Sequence, residues 1–147
     1  SKPKEKAQSM KQKILSMLLA LPLLSACAGE RPENIGVQAG QLAACPDSPN
    51  CVSSFESSDE HGIAPLATAL EKIEAVLVGL DEANIVSASE NYLYAEFTSS
   101  LMGYVDDVEF LYDAESGITH VRSASRLGQS DFGVNRDRIE RIRELVR

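Results

Sequence analysis

Eight residues between positions 120 and 136 have side chains that could bind an anionic ligand. Arginine dominates this stretch, and its planar guanidinium forms paired hydrogen bonds with a carboxylate or a phosphate. We therefore predict a polar site where a strand meets a helix, occupied by an anionic small molecule or the acidic segment of a partner protein. Its residues are His120, Arg122, Ser123, Ser125, Arg126, Asp131, Asn135 and Arg136.

The charge distribution allows a second interpretation of these arginines. Residues 28–121 contain 17 acids and two basic residues, whereas residues 122–147 contain seven arginines and four acids. The arginines could therefore pair internally and lock the sheet to the last helix; the candidate partners are Asp106, Asp107, Glu109 and Asp131. Within the last helix, alternation of arginines with acids predicts a solvated, charge-paired face. The acidic balance argues against a nucleic-acid partner, whose phosphates need a basic surface.

Signatures of catalysis are few. A hydrolase or transferase acting on an envelope component would have to use His120 as a base with Ser123 or Asp131. The sequence has no GxSxG motif. Asp106 and Asp107 are neighbours on a strand and face opposite sides, so they cannot act together as an acid–base pair. The sequence thus favours a binding or accessory module over an enzyme, and it assigns no catalytic residue, cofactor or metal.

The N-terminal region has the layout of an export signal. Lys11 and Lys13 precede an apolar-rich stretch of eleven residues, Ile14 to Leu24, which is followed by small residues and a cysteine. A helix needs about 20 residues to cross the apolar core of a bilayer. This stretch is therefore more typical of a signal peptide, residues 1–26, than of a permanent membrane helix.

The residues around the third cysteine resemble the lipobox of bacterial lipoproteins. The passage is "LSAC", residues 24–27. The resemblance implies cleavage before Cys27 and diacylation of its sulfur, and two or more acyl chains hold a protein stably on a membrane. Ala28 follows where an inner-membrane retention signal usually has aspartate, so the resemblance favours the periplasmic face of the outer membrane. Residues 27–44 are expected to form a flexible, lipid-anchored tether, and residues 45–147 the folded domain.

Cys45 and Cys51 lie in "CPDSPNCVSS", a short stretch with two prolines. An exported chain meets an oxidising compartment in which disulfides persist, and these are the only thiols left once Cys27 is acylated. A redox pair usually has two intervening residues and zinc usually has four ligands, so both alternatives are less favoured. We predict a structural disulfide worth about 2 kcal/mol.

Hydrophobic periodicity predicts the order α-β-β-β-β-α. The first helix is expected from Pro65 to Leu80, and the second over residues 136–147 with Asn135 as its cap. Between them, four runs alternate as strands do: "NIVSASE", "YLYAEFTSS", "YVDDVEFLYD" and "ITHVRSAS". The predicted fold is α+β, a two-layer sandwich of a mainly antiparallel four-stranded sheet with two helices on one face.

Two passages together resemble the DUF1499 family, a domain of unknown function. They are "CPDSPNCVSS" near the start of the domain and "HVRSASRLGQSDFGVNR" near its end. The resemblance spans roughly Cys45 to Arg143. It carries no activity, so the expected function comes from the residues: an envelope lipoprotein that binds an anionic ligand or a protein partner.

Overall fold

A computed structural model describes residues 28–147 of the chain. The predicted signal peptide, residues 1–26, and the lipidation site Cys27 lie outside the described residues. Neither helix between residues 28 and 147 combines the length and apolar character needed to cross a bilayer.

Residues 28–147 have an α+β structure, with five strands and two helices. The strands are β1 (Cys51–Ser53), β2 (Ala83–Ala88), β3 (Tyr92–Thr98), β4 (Val105–Asp113) and β5 (Ile118–Ser125). The helices are α1 (Leu70–Val78) and α2 (Val134–Leu145). The sheet order is β1-β5-β4-β3-β2, and all neighbouring strands are antiparallel.

The sheet has one strand more than the four that we predicted. The additional strand, β1, pairs with β5 through Val52 opposite Ser123 and Cys51 opposite Ala124. It contains three residues, and all three are buried. So short a strand shows no alternation of apolar and polar residues, which is the signal on which strand prediction depends.

Helix α1 begins five residues later than predicted. Before it, Leu66 and Thr119 exchange both backbone hydrogen bonds, at 2.9 and 2.8 Å. The backbone at Ala69 is still extended, so the helix starts only at Leu70. The helical spacing of apolar residues included Leu66, but Leu66 is buried because it forms a bridge to β5 and not because it belongs to the helix.

The two helices cover one face of the sheet and enclose the hydrophobic core. Ile73 and Leu77 of α1 and Ile139 and Ile142 of α2 pack against apolar residues of the strands, of which Phe110 is the largest fully buried one. The opposite face of the sheet is polar on β3, β4 and β5. That polar face carries Glu96, Asp107, Glu109 and Arg122.

Candidate functional site

The polar face of the sheet is covered by the segment of residues 29–46, which we call the N-terminal cover. Arg31 donates to Glu96 at 2.6 Å, and the backbone N–H of Gly36 donates to Glu109 at 2.7 Å. Residues 27–44 were predicted to form a tether; the described part of this segment contacts the sheet. These contacts shield the carboxylates of the polar face from solvent.

A disulfide joins the end of the N-terminal cover to β1. Cys45 and Cys51 are bonded, as we predicted, with their Cα atoms 5.7 Å apart. The backbone N–H of Cys45 also donates to Glu56 at 2.8 Å. Because β1 is buried at the edge of the sheet, the bond holds the cover in one position over β5.

Arg126 is fully engaged with the carboxylates beneath the cover. Its Nε donates to Asp107 Oδ2 at 2.9 Å, and its Nη2 donates to Asp107 Oδ1 at 2.8 Å and to Glu96 Oε1 at 2.6 Å. The hydrogen bonds with Asp107 raise the pKa of Arg126, although burial opposes them. Arg126 is therefore paired with carboxylates of the same domain, as the second interpretation of the arginines predicts.

Arg122 is buried but incompletely paired. Its side chain is 4% exposed, and its Nη1 lies 3.9 Å from Glu109 Oε2. Its Nη2 donates to the carbonyl of Ala44 at 3.3 Å. Within residues 28–147, neither Arg122 Nε nor Glu109 Oε2 has a hydrogen-bond partner.

The environments of Arg122 and Glu109 both disfavour charge. Burial lowers the pKa of Arg122, and the negative charge of Glu109 only partly opposes this. Burial raises the pKa of Glu109, although hydrogen bonds from Gly36 N–H and the Tyr92 hydroxyl oppose it. The pair thus retains unused hydrogen-bonding capacity and an imperfect balance of charge.

A cavity of about 340 Å³ lies between the N-terminal cover and the end of β5. The cover contributes mainly apolar groups, and the sheet with the residue after β5 contributes mainly polar ones. The residues that matter for a ligand are Pro32, Asn34, Cys45, Arg122, Ser125 and Arg126. The cavity therefore places the incompletely paired arginine beside space for a small molecule.

Glu109→Gln is expected to change how stability depends on pH. Because burial raises the pKa of Glu109, the folded protein binds more protons than the unfolded chain between the two pKa values. The contribution of Glu109 to the free energy of unfolding therefore falls as the pH rises through that window. Urea unfolding of parent and variant from about pH 4 to about pH 7 should give a parent-minus-variant difference that decreases with pH.

The matched control for this experiment is Glu90→Gln, which removes a carboxylate from the exposed turn between β2 and β3. A pH-independent difference for Glu109→Gln, or the same trend in both variants, would contradict the effect of burial on Glu109.

Two predicted site residues lie on the side of the sheet that faces the helices. Ser123 projects from β5 toward α2, and Asn135 lies in α2 opposite it. Ser123 Oγ donates to Asn135 Oδ1 at 2.7 Å. The Asn135 Nδ2 donates to Ser125 Oγ at 2.9 Å, to Asp131 Oδ2 at 2.8 Å and to the Asn50 carbonyl at 3.2 Å. Asn135 is completely buried. Arg138 Nη1 also donates to Ser123 Oγ at 3.0 Å and to Asn135 Oδ1 at 2.8 Å. The hydrogen bonds of this cluster are therefore made within the protein.

The structure corrects the predicted cap of helix α2. Asn135 lies within the first turn, and Asp131 accepts the backbone N–H groups of Gly133 and Asn135, both at 2.9 Å. These hydrogen bonds lower the pKa of Asp131, although burial opposes them. The side chain of Asn135 is instead used to join the helix to the sheet.

Arg136 lies apart from the cavity. It donates to the backbone carbonyls of Asp59, Glu60 and Gly62 at 3.3, 3.2 and 2.9 Å. Its role is to hold the loop before α1. The structure thus separates the eight predicted residues: Arg122, Arg126 and Ser125 border the cavity, and the others lie elsewhere.

Arg138 does not lie on the solvated helix face that the alternation of charges in the last helix predicted. Arg138 Nη2 donates to Asp106 Oδ2 at 2.6 Å, and its guanidinium lies 4.8 Å from the ring centre of Phe97. Asp106 alternates with Val108 and Phe110 on the core side of β4, and a buried carboxylate there needs a partner. Arg147, in contrast, forms an exposed pair with Glu144, as an alternating pattern predicts.

His120 pairs with Ser54 and not with Ser123 or Asp131. Its Nδ1 lies 3.0 Å from Ser54 Oγ, and its ring stacks on Phe55 at 4.3 Å. The Ser54 hydroxyl also accepts the backbone N–H of Val121 at 2.9 Å, so it is part of the pairing between β1 and β5. Ser123 projects from the opposite face of β5, which excludes it as the nucleophile that we considered with His120.

No metal-binding arrangement of three or more histidine, cysteine, aspartate or glutamate residues occurs in the part of the chain that the structure describes. The second histidine, His61, has its Nδ1 2.9 Å from the carbonyl of Cys51. It therefore supports the end of the disulfide loop.

Comparison with known proteins gives one family. Residues 41–146 match the family described as "Protein of unknown function (DUF1499)". This range includes β1 to α2 and the disulfide. No curated protein and no solved structure matches the chain. Since the match covers most of the chain, the protein belongs to the DUF1499 family.

Proposed function

We propose that this protein is a lipid-anchored envelope protein whose domain binds a small anionic group in the cavity beside Arg122. The incomplete pairing of Arg122 carries the proposal. An unpaired N–H of a buried guanidinium costs free energy, and a ligand oxygen would remove that cost. The cavity volume, about 340 Å³, is within the range of small-molecule sites.

The charges around the cavity favour a carboxylate or phosphate group. Asp107 borders the cavity, but both of its oxygens accept hydrogen bonds from Arg126, so its negative charge is compensated. Glu109 is a weak counterion for Arg122, because burial disfavours its charge and its nearest oxygen lies 3.9 Å from Arg122 Nη1. An anion beside Arg122 would supply that charge and make charge-assisted hydrogen bonds.

The anchor belongs to the same proposal and rests on the sequence. The export signal ends in "LSAC", and Cys27 lies only two residues before the N-terminal cover. Mass spectrometry of protein extracted from the native membrane tests this part. The proposal expects a chain that begins at Cys27 with acyl groups on it, and a chain that retains residues 1–26 without acyl groups contradicts it.

Ligand binding is expected to raise the melting temperature of the parent protein. A ligand that binds only the folded state stabilises it by about 2.7 kcal/mol at a hundred times its dissociation constant. The probes are inorganic phosphate and acetate, each compared with chloride at equal ionic strength. Saturable stabilisation by either probe supports the proposal.

Two variants complete this experiment. Arg122→Gln should lose the response to phosphate and acetate, each variant being compared with its own melting temperature in chloride. Arg141→Gln is the matched control, because Arg141 is more than half exposed and pairs with Glu82. Equal responses of the two variants would place binding elsewhere and contradict the site at Arg122.

A further inference from the structure

One end of the sheet presents a group of apolar side chains to solvent. The end of β3 pairs with the start of β4, and the start of β4 pairs with the end of β5. The loop between β3 and β4 and the loop between β5 and α2 therefore emerge at the same end. We call this surface the apolar end; its residues are Leu101, Met102, Tyr104, Leu127 and Phe132.

Phe132 is held outward by a strained backbone. Its φ angle is 53°, in the left-handed region that bulky residues avoid, and its side chain is 95% exposed. Its backbone N–H donates to Ser130 Oγ at 3.3 Å, and the next N–H, that of Gly133, donates to Asp131 at 2.9 Å. The turn thus has an unfavourable backbone conformation at the residue whose aromatic ring is exposed. Strain of this kind is concentrated at functional surfaces.

The start of the N-terminal cover lies at the same end. Arg126 follows β5 directly, and its Nη1 donates to the carbonyl of Gly29 at 3.4 Å. Leu127, part of the apolar end, is the next residue. Gly29 is two positions after Cys27, and two extended residues span at most about 7 Å. A lipid on Cys27 would therefore enter the membrane beside the apolar end.

We infer that the apolar end rests in the interfacial layer of the bilayer that holds the anchor. The inference rests on the proposed acylation of Cys27. Residues 99–104 and 127–133 contain no lysine or arginine and one acid, Asp131, so electrostatic attraction to lipid headgroups does not contribute. The contact depends on burial of apolar side chains, and together with the anchor it fixes the orientation of the domain.

Tryptophan substitution tests this contact on the acylated full-length protein. The chain has no tryptophan, so each substitution introduces a single fluorophore. Leu101→Trp and Phe132→Trp place it at the apolar end, and both parent side chains are at least 90% exposed. Glu90→Trp is the matched control, in the exposed turn at the opposite end of the sheet.

The vesicles contain phosphatidylethanolamine and phosphatidylglycerol, with a fraction of brominated lipid as a quencher. On these vesicles, tryptophan at positions 101 and 132 should emit at shorter wavelength and lose intensity, whereas tryptophan at position 90 should not change. Equal, unquenched emission from all three positions on these vesicles overturns the inference. A blue shift that appears only in native membranes also overturns it, because it indicates contact with another protein and not with lipid.

Mass spectrometry of the same samples separates the two claims. Acylated protein without quenching overturns the orientation alone and leaves the proposed anchor intact. Protein that carries no acyl group when extracted from its native membrane overturns both, because the orientation depends on the anchor.

Discussion

Replacing Arg126 with alanine is expected to lower the free energy of unfolding by about 3–5 kcal/mol. The substitution removes the hydrogen bonds from Arg126 to Asp107 and leaves Arg31 as the one arginine that donates to Glu96 among residues 28–147. Asp107 is 1% exposed, so its charge would remain buried without a strong cationic partner. The cost arises mainly from that uncompensated carboxylate and less from the contacts of the arginine itself.

Urea unfolding followed by circular dichroism measures this effect. The matched control is Arg141→Ala, which breaks the partly exposed pair with Glu82 and should cost less than about 1 kcal/mol. If both variants lose the same small amount of stability, the network beneath the N-terminal cover does not stabilise the fold as described.

Replacing Asn135 with alanine is expected to cost about 3 kcal/mol, because each buried polar group left unpaired costs about 1–3 kcal/mol. The substitution removes the amide group that bonds Ser123, Ser125, Asp131 and the carbonyl of Asn50. Ser123 keeps Arg138 as a donor, and Asp131 keeps two backbone N–H groups. The first turn of α2 would then lose its connection to β5.

Asn84→Ala is the control for this prediction, because Asn84 is exposed on the edge strand β2. That substitution should change the free energy of unfolding by less than about 0.5 kcal/mol. The two variants also separate a structural role from a ligand role. If Asn135→Ala keeps full stability but loses the response to phosphate and acetate, Asn135 belongs to the binding site, which contradicts its structural role between α2 and β5.

The sequence predicts the two faces of β5 correctly. Alternation assigns His120 and Arg122 to one face and Val121 with the serines to the other, and the core packing of Val121 confirms this. The same rule excludes a single pocket that contains both Arg122 and Ser123, because consecutive residues of a strand face opposite sides. The similar chemistry of these residues suggested one polar cluster. The geometry of the strand divides them into two, one around Arg122 and one around Ser123.

The N-terminal cover could not be predicted from hydrophobic pattern. Residues 28–44 have no period, and Leu42 is their one deeply buried large apolar side chain. An indirect signal was available in β4, where Asp107 and Glu109 alternate with core residues on a strand that has neighbours on both sides. Buried carboxylates need partners, so some part of the chain had to cover that face.

Most of the arginines from position 122 onward are paired within the protein, and a different one is the candidate for ligand binding. Arg126 and Arg138 each have a carboxylate at hydrogen-bond distance, and Arg136 is used by backbone carbonyls. Arg122 differs, since its nearest carboxylate oxygen is 3.9 Å away and its Nε has no partner among residues 28–147. The charge asymmetry of the sequence therefore serves the fold at most positions and leaves one arginine available beside the cavity.

The most direct test is a nuclear magnetic resonance titration that follows the Nε–H groups of the arginines. The signal of Arg122, assigned by its absence in Arg122→Gln, should shift saturably as phosphate or acetate is added to the parent protein. The signal of Arg126, whose Nε is already bonded to Asp107, should stay in place. An unmoved Arg122 signal, or equal small shifts of all arginines with ionic strength, would contradict an anion site beside Arg122.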